Sequence, residues 1–131
     1  MGELTTTEGG SLVNLFHNNE GGMVPLPFER DIFLFDTHIA GTSHVDGIEE
    51  LAPYLKSEDR LSFFREPDNL HDKEAIVVKT DAGVKIGYIP RKDNVVFARL
   101  MDAGKMLFGK VISVELQGAW VKIDIGIYLH E

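Results

Sequence analysis

Apolar residues in this chain recur at even steps in short runs separated by turn-forming residues, and that pattern predicts strands. Ile32-Phe33-Leu34-Phe35 with His38-Ile39-Ala40 reads as a first strand. Its Phe33, Phe35 and Ile39 lie an even number of steps apart and so should share a face. Leu61 to Arg65 is a second strand, and Ala75-Ile76-Val77-Val78-Lys79, rich in β-branched residues, is a third. The turn Asp81-Ala82-Gly83 leads to a fourth, Val84 to Ile89, which Pro90 ends because it has no N–H for a ladder. Met106 to Leu116 is the fifth. After Gln117-Gly118, the residues Val121, Ile123, Ile125, Ile127 and Leu129 define one face of a sixth.

Two short helices interrupt this series. Asp46 is the expected cap of the first, which runs through Glu49, Glu50 and Leu51 and is limited by Pro53. Asp93 or Asn94 is the expected cap of the second, reaching about Ala103, with Val96, Phe97, Leu100 and Met101 inward and Gly104 as its stop. Strands that each bury one apolar face must close or fold over. The expected fold is therefore mainly β with two short helices, a compact six-stranded OB-like or SH3-like barrel.

Residues 1–30 break the pattern. Gly9-Gly10 and Gly21-Gly22 bracket Ser11 to Phe16, and Pro25 and Pro27 impose an extended entry. They read as a partly ordered N-terminal arm that covers a sheet edge or binds a partner, ahead of a domain at 31–131. A chain of 131 residues fits one domain of that kind. The lack of Cys removes disulfides, thiolate zinc sites and cysteine nucleophiles, and fits a cytoplasmic, reducing compartment. No apolar run is long enough to span a membrane, and the first ten residues do not resemble a signal peptide. The net charge of -8 argues against non-specific nucleic-acid binding. The charge is uneven, however. Residues 1–84 hold 6 Lys/Arg and 16 Asp/Glu, whereas residues 85–131 hold 7 and 5, so a local basic surface remains available.

Two stretches carry chemistry that a core does not need: Arg65-Glu66-Pro67-Asp68-Asn69-Leu70-His71-Asp72-Lys73-Glu74-Ala75-Ile76, and Gly87-Tyr88-Ile89-Pro90-Arg91. Asp68 and Asn69 are accounted for by turn formation. Asp72 can accept a hydrogen bond from a ligand hydroxyl, or brace its own loop. His44 and His71 offer flat rings with switchable donors, or are simply solvated. Tyr88 is a stacking platform for a base, or a core aromatic with its hydroxyl at the rim. Gly87 permits close approach of a ligand or of another backbone. Arg91 and Lys92 open the second helix, where they can hold a phosphate or stand as a solvated basic pair.

The order of these pieces resembles the HIRAN domain family, a module found at the N-terminus of some DNA-remodelling and fork-reversal ATPases and also alone in bacteria. The matching residues are Ile39-Ala40-Gly41-Thr42, Leu61 to Asn69, Asp72, Glu74-Ala75-Ile76, Ile86 to Arg91, and Leu100-Met101-Asp102-Ala103-Gly104, within about residues 31–131. The resemblance implies a compact OB-like or SH3-like barrel that grips the 3′ end of single-stranded DNA. The family's end-binding Asp falls on Asp72, where it would accept the terminal hydroxyl. Its base-stacking Tyr falls on His71, an Arg-Tyr pair on Ser43 and His44, and a ring residue on Tyr88. Ser43 cannot supply the bidentate phosphate grip of the Arg it replaces, which implies weak end binding. The ATP hydrolysis and zinc binding of larger family members do not carry over. The chain has neither a Gly-rich P-loop nor Cys, and no His pair has ligand spacing.

The leading expectation is a non-enzymatic nucleic-acid-binding module for single-stranded DNA or 3′ ends, in DNA repair, DNA processing or a mobile-element context. It needs no cofactor or metal and uses Ser43, His44, His71, Asp72, Tyr88, Arg91 and Lys92. The second is a protein-interaction module, binding another protein or a second copy through a sheet edge or the arm. The third is a metal-dependent hydrolase using His44, Asp46, His71 and Asp72, for which no geometry is fixed.

Overall fold

The computed structural model describes residues 30–131. The expected N-terminal arm lies outside the described residues, apart from Arg30. Among the described residues, six strands form one antiparallel sheet: β1 (Asp31–His38), β2 (Arg60–Arg65), β3 (Ile76–Thr80), β4 (Lys85–Tyr88), β5 (Met106–Gln117) and β6 (Trp120–His130). Two helices accompany them, the single-turn α1 (Ile48–Leu51) and the longer α2 (Arg91–Asp102). Short 3-10 turns cover Thr42–His44 and Ala52–Tyr54. The strand order is β1-β6-β5-β2-β3-β4. The sheet curls until its two ends meet. Beyond β1, the Ala40 N–H donates to the Tyr88 carbonyl at 2.8 Å and the Tyr88 N–H donates back to Ala40 at 2.9 Å. This pair bridges the end of β1 to β4 and joins both margins of the sheet.

The alternation expected in β6 is fully expressed. Val121, Ile123, Ile125 and Ile127 are buried and Leu129 packs against them. Opposite them stand Leu61, Phe63, Ile76, Val78 and Ile86 from β2, β3 and β4. Phe97 and Ala98 of α2 join the same cluster. Burying aliphatic side chains of this size is worth about 1.5–3 kcal/mol each, before the entropy cost of ordering the chain.

The expected shared face of Phe33, Phe35 and Ile39 is not formed. Phe33 pairs with Tyr128 and Phe35 with Ile127, so Leu34 is an extra residue bulged out of register. The bulge flips the side-chain parity. Phe33 meets the Tyr128 ring on the outer face at 5.5 Å, while Phe35 turns to Phe97 of α2 at 5.9 Å. Leu34 packs against the core in their place.

Both helices begin differently from expectation. Gly47, not Asp46, occupies the cap position of α1, with no side-chain cap bond. Pro90 occupies that position in α2, displacing Asp93 and Asn94 into the first turns. Proline suits a helix start, because the N–H it lacks would find no helical partner there. The displaced side chains are engaged elsewhere: Asp93 accepts the Thr37 hydroxyl at 2.7 Å, and Asn94 is almost fully buried. The inward face also differs from the expected one. Asn94, Phe97 and Ala98 are buried, whereas Val96 is 63% exposed.

Candidate functional site

The segment between β2 and β3 is held at both feet. The Glu66 N–H donates to the Ala75 carbonyl at 3.0 Å, closing the loop. Arg65 reaches under it. Its Nη1 donates to the Ala75 carbonyl at 2.8 Å and its Nη2 to the Lys73 carbonyl at 3.0 Å. The same guanidinium forks onto Asp102 at the end of α2, at 2.9 and 3.2 Å. Planar bidentate geometry makes this a strong, orienting pair. It raises Arg65 above its usual range and holds Asp102 below the ordinary carboxylate value. The loop is thereby tied to the C-terminal end of α2.

Within the loop, Asn69 organises the turn. Its Oδ1 accepts the backbone N–H of His71 at 2.8 Å and of Asp72 at 3.1 Å, and its Nδ2 donates to Glu66 Oε1 at 3.0 Å. Those bonds carry His71 and Asp72 to the side facing α2. Asp72 Oδ1 accepts the Glu74 N–H at 3.0 Å. Asp72 Oδ2 accepts the Asn94 side-chain N–H at 2.7 Å and lies 3.7 Å from Arg91 Nε. A carboxylate has about four accepting positions, and these two hydrogen bonds leave it capacity for an incoming donor. Its side chain is 17% exposed, so that donor would meet a partly desolvated acceptor.

Tyr88 arrives from β4. Gly87 places it there: at φ 149° the glycine lies against Ile39 and Ala40, and a Cβ would stand 2.5 Å from the Ala40 carbonyl oxygen. The Tyr88 hydroxyl donates to Glu66 Oε1 at 2.8 Å and accepts from Lys85 Nζ at 3.0 Å. Lys85 Nζ also lies 4.6 Å from the ring centroid. Hydrogen bonds from the Asn69 amide first and then from the Tyr88 hydroxyl hold the Glu66 pKa below the usual carboxylate range. A ring anchored at its hydroxyl end needs little ordering when something stacks on it.

His71, Asp72, Tyr88 and Arg91 line one pocket of about 270 Å3, together with Asn69 and an apolar lining from Ala40, Gly41, Ala75 and Ile89. Arg91 is the first residue of α2, and its side chain is largely exposed. The other expected residues lie elsewhere. Ser43 and His44 are exposed on the 3-10 turn that begins just after Gly41, which is held by the buried Thr42 hydroxyl donating to the Val121 carbonyl at 2.8 Å. Lys92 lines a different pocket, with Thr37 and Asp93. Asn94 and Glu66, which the sequence did not single out for the site, brace the pocket through hydrogen bonds to Asp72, Asn69 and Tyr88. Asn94 is 22 residues from Asp72 and reads as a helix cap, and no local signal connects the two. Among the described residues, no group of three or more His, Asp or Glu could hold a metal ion, and no helix is long and apolar enough to cross a membrane.

A small curled antiparallel barrel with short helices, carrying a largely apolar pocket rimmed by His71, Asp72, Tyr88 and Arg91 where its two margins meet, is an OB-like architecture. The HIRAN domain model matches residues 32–131, and the chain belongs to that family. Among solved structures it is similar to a protein from Lactobacillus plantarum, at 29% identity and a TM-score of 0.72, over 79% of this chain and 98% of that one. It also matches the HIRAN domain of human HLTF at 17% identity and a TM-score of 0.60, over 76% of this chain and 78% of that one. The second likeness is one of fold. No curated protein matches.

Proposed function

We propose that this domain binds single-stranded nucleic acid and takes a free 3′ end into the pocket between the β2–β3 loop, Tyr88 and the start of α2. The observation that carries this reading is the Asp72 carboxylate. It is held in position by Asn94 and the Glu74 N–H, retains accepting capacity, and lines the same pocket as the Tyr88 ring. Asp72 would accept the terminal 3′ hydroxyl. Tyr88 and His71 would offer faces to the terminal base, and Arg91 would meet a phosphate at the positive end of α2. Ser43 and His44, just beyond Gly41, would flank the next nucleotide, and Lys92 would act further along the backbone. The binding unit is residues 31–131.

Affinity on this reading is modest. Stacking is worth about 1–3 kcal/mol per base, and a chain of net charge -8 engages few phosphates. Substituting Asp72→Ala and Tyr88→Ala separately should each reduce binding of a fluorescein-labelled oligonucleotide by about tenfold or more. Binding in both variants equal to the parent's would rule this pocket out.

A further inference from the structure

We propose that the face formed by the Ala52–Tyr54 turn, Leu55 and the neighbouring strand ends docks a basic, amphipathic segment of another protein. Two grooves adjoin across Leu55. One, of about 350 Å3, lies between Tyr54 and the β3–β4 turn at Val84. The other, of about 360 Å3, lies between Pro53 and the far end of β5 at Leu116. Tyr54 is 76% exposed, Leu116 68% and Val84 44%. A single exposed apolar side chain is ordinary, but three along two contiguous concavities form a surface suited to apolar partners.

The lining charge selects the occupant. Glu49 lines one groove, and Asp59 and Asp81 line the other. Arg60 alone is cationic among the lining residues, and its guanidinium lies 3.8 Å over the Phe108 ring. Residues 1–29 contain Glu3, Glu8, Glu20 and Glu29 but no Lys or Arg, so the protein's own N-terminal segment has the wrong sign. A second copy presenting the same face would set carboxylates against carboxylates. Nucleic acid is disfavoured for the same reason. A segment carrying Lys or Arg beside Leu or Phe satisfies both the apolar grooves and their acidic lining. None of these lining residues belongs to the Asp72 pocket, so both faces can be occupied at once.

The test titrates the full chain with a labelled amphipathic peptide of Leu and Lys, and with the same peptide carrying Glu in place of Lys. The Lys peptide should bind saturably and more weakly at high salt. The double variant Tyr54→Ser/Leu116→Ser should lose about tenfold or more. Asp59→Asn/Asp81→Asn should weaken binding and flatten its salt dependence; both variants should melt like the parent, because Tyr54, Leu116 and Asp81 are exposed and Asn at position 59 keeps an acceptor for the Lys56 N–H. Equal binding of the Glu peptide would overturn the proposal, as would undiminished binding by the Ser variant. So would groove amide signals that shift when residues 1–29 are deleted, or a homodimer that Leu116→Ser dissolves.

Discussion

At the scale of single residues, the site depends on Asn94 more than its place in the sequence suggests. It is 1% exposed and donates to Asp72 Oδ2 at 2.7 Å. Asn94→Leu should cost about 1–3 kcal/mol in chemical denaturation, because it leaves a half-buried carboxylate short of a donor. It should also weaken oligonucleotide binding. Unchanged stability and affinity would mean that Asp72 is positioned without it. Glu66 gives a pH test. Its pKa is held below the ordinary 4.5 by the Asn69 amide and the Tyr88 hydroxyl. The folded state therefore favours the ionised form. The resulting stability is fully present above pH 4.5 and declines as pH falls through the lowered native value. Thermal melts between neutral pH and pH 3 should accordingly show a shallower acid limb for Glu66→Gln than for the parent. Parallel limbs would exclude this linkage.

At the scale of elements, the decisive contact is the crossing of β4 by the segment after β1. Gly87 has φ 149°, and a methyl group there would meet the Ala40 carbonyl oxygen at 2.5 Å and the Ile39 side chain. Gly87→Ala should cost about 2–4 kcal/mol, combining steric overlap with backbone strain, and should reduce exchange protection of the Ala40 and Tyr88 amides. Parental melting with both amides still protected would mean that this bridge does not depend on glycine. The permissive role of Gly87 was legible in the sequence, because glycine inside an alternating strand marks a close approach. That the approaching backbone is Ala40 was not. β6 was legible because each of its inward positions is aliphatic and no irregularity interrupts them. β1 was legible as a strand but its inward positions were not, since the extra residue at Leu34 reverses parity without any glycine or proline to announce it. In α2 two plausible side-chain caps masked the proline start. The start lies about one turn earlier than those caps implied, and the buried face falls on Asn94, Phe97 and Ala98 with Val96 outward.

For the molecule as a whole, curling of the sheet is what creates the pocket. Asp72 and Tyr88 come from opposite ends of a long stretch of chain, yet Glu66 and Asn69 connect them through three hydrogen bonds. α2 grips the same loop twice, by Asn94 near its start and by Asp102 at its end. The loop–helix–strand unit is therefore expected to behave as one rigid receptor. The resemblance seen in the Arg65 to Ile76 and Gly87 to Arg91 stretches brought out the right family, because those residues build the joint and do not merely decorate it. The charge is asymmetric along the chain, and Arg91, from its more basic C-terminal third, stands at the pocket. The most direct measurement compares fluorescence anisotropy of a single strand with a free 3′ hydroxyl against the same strand carrying a 3′ phosphate, for the parent and for Asp72→Asn. Preferential binding of the free end by the parent, lost or strongly reduced in Asp72→Asn, is the predicted result. Equal affinity of the parent for both strands, or the same preference kept by the variant, would contradict it.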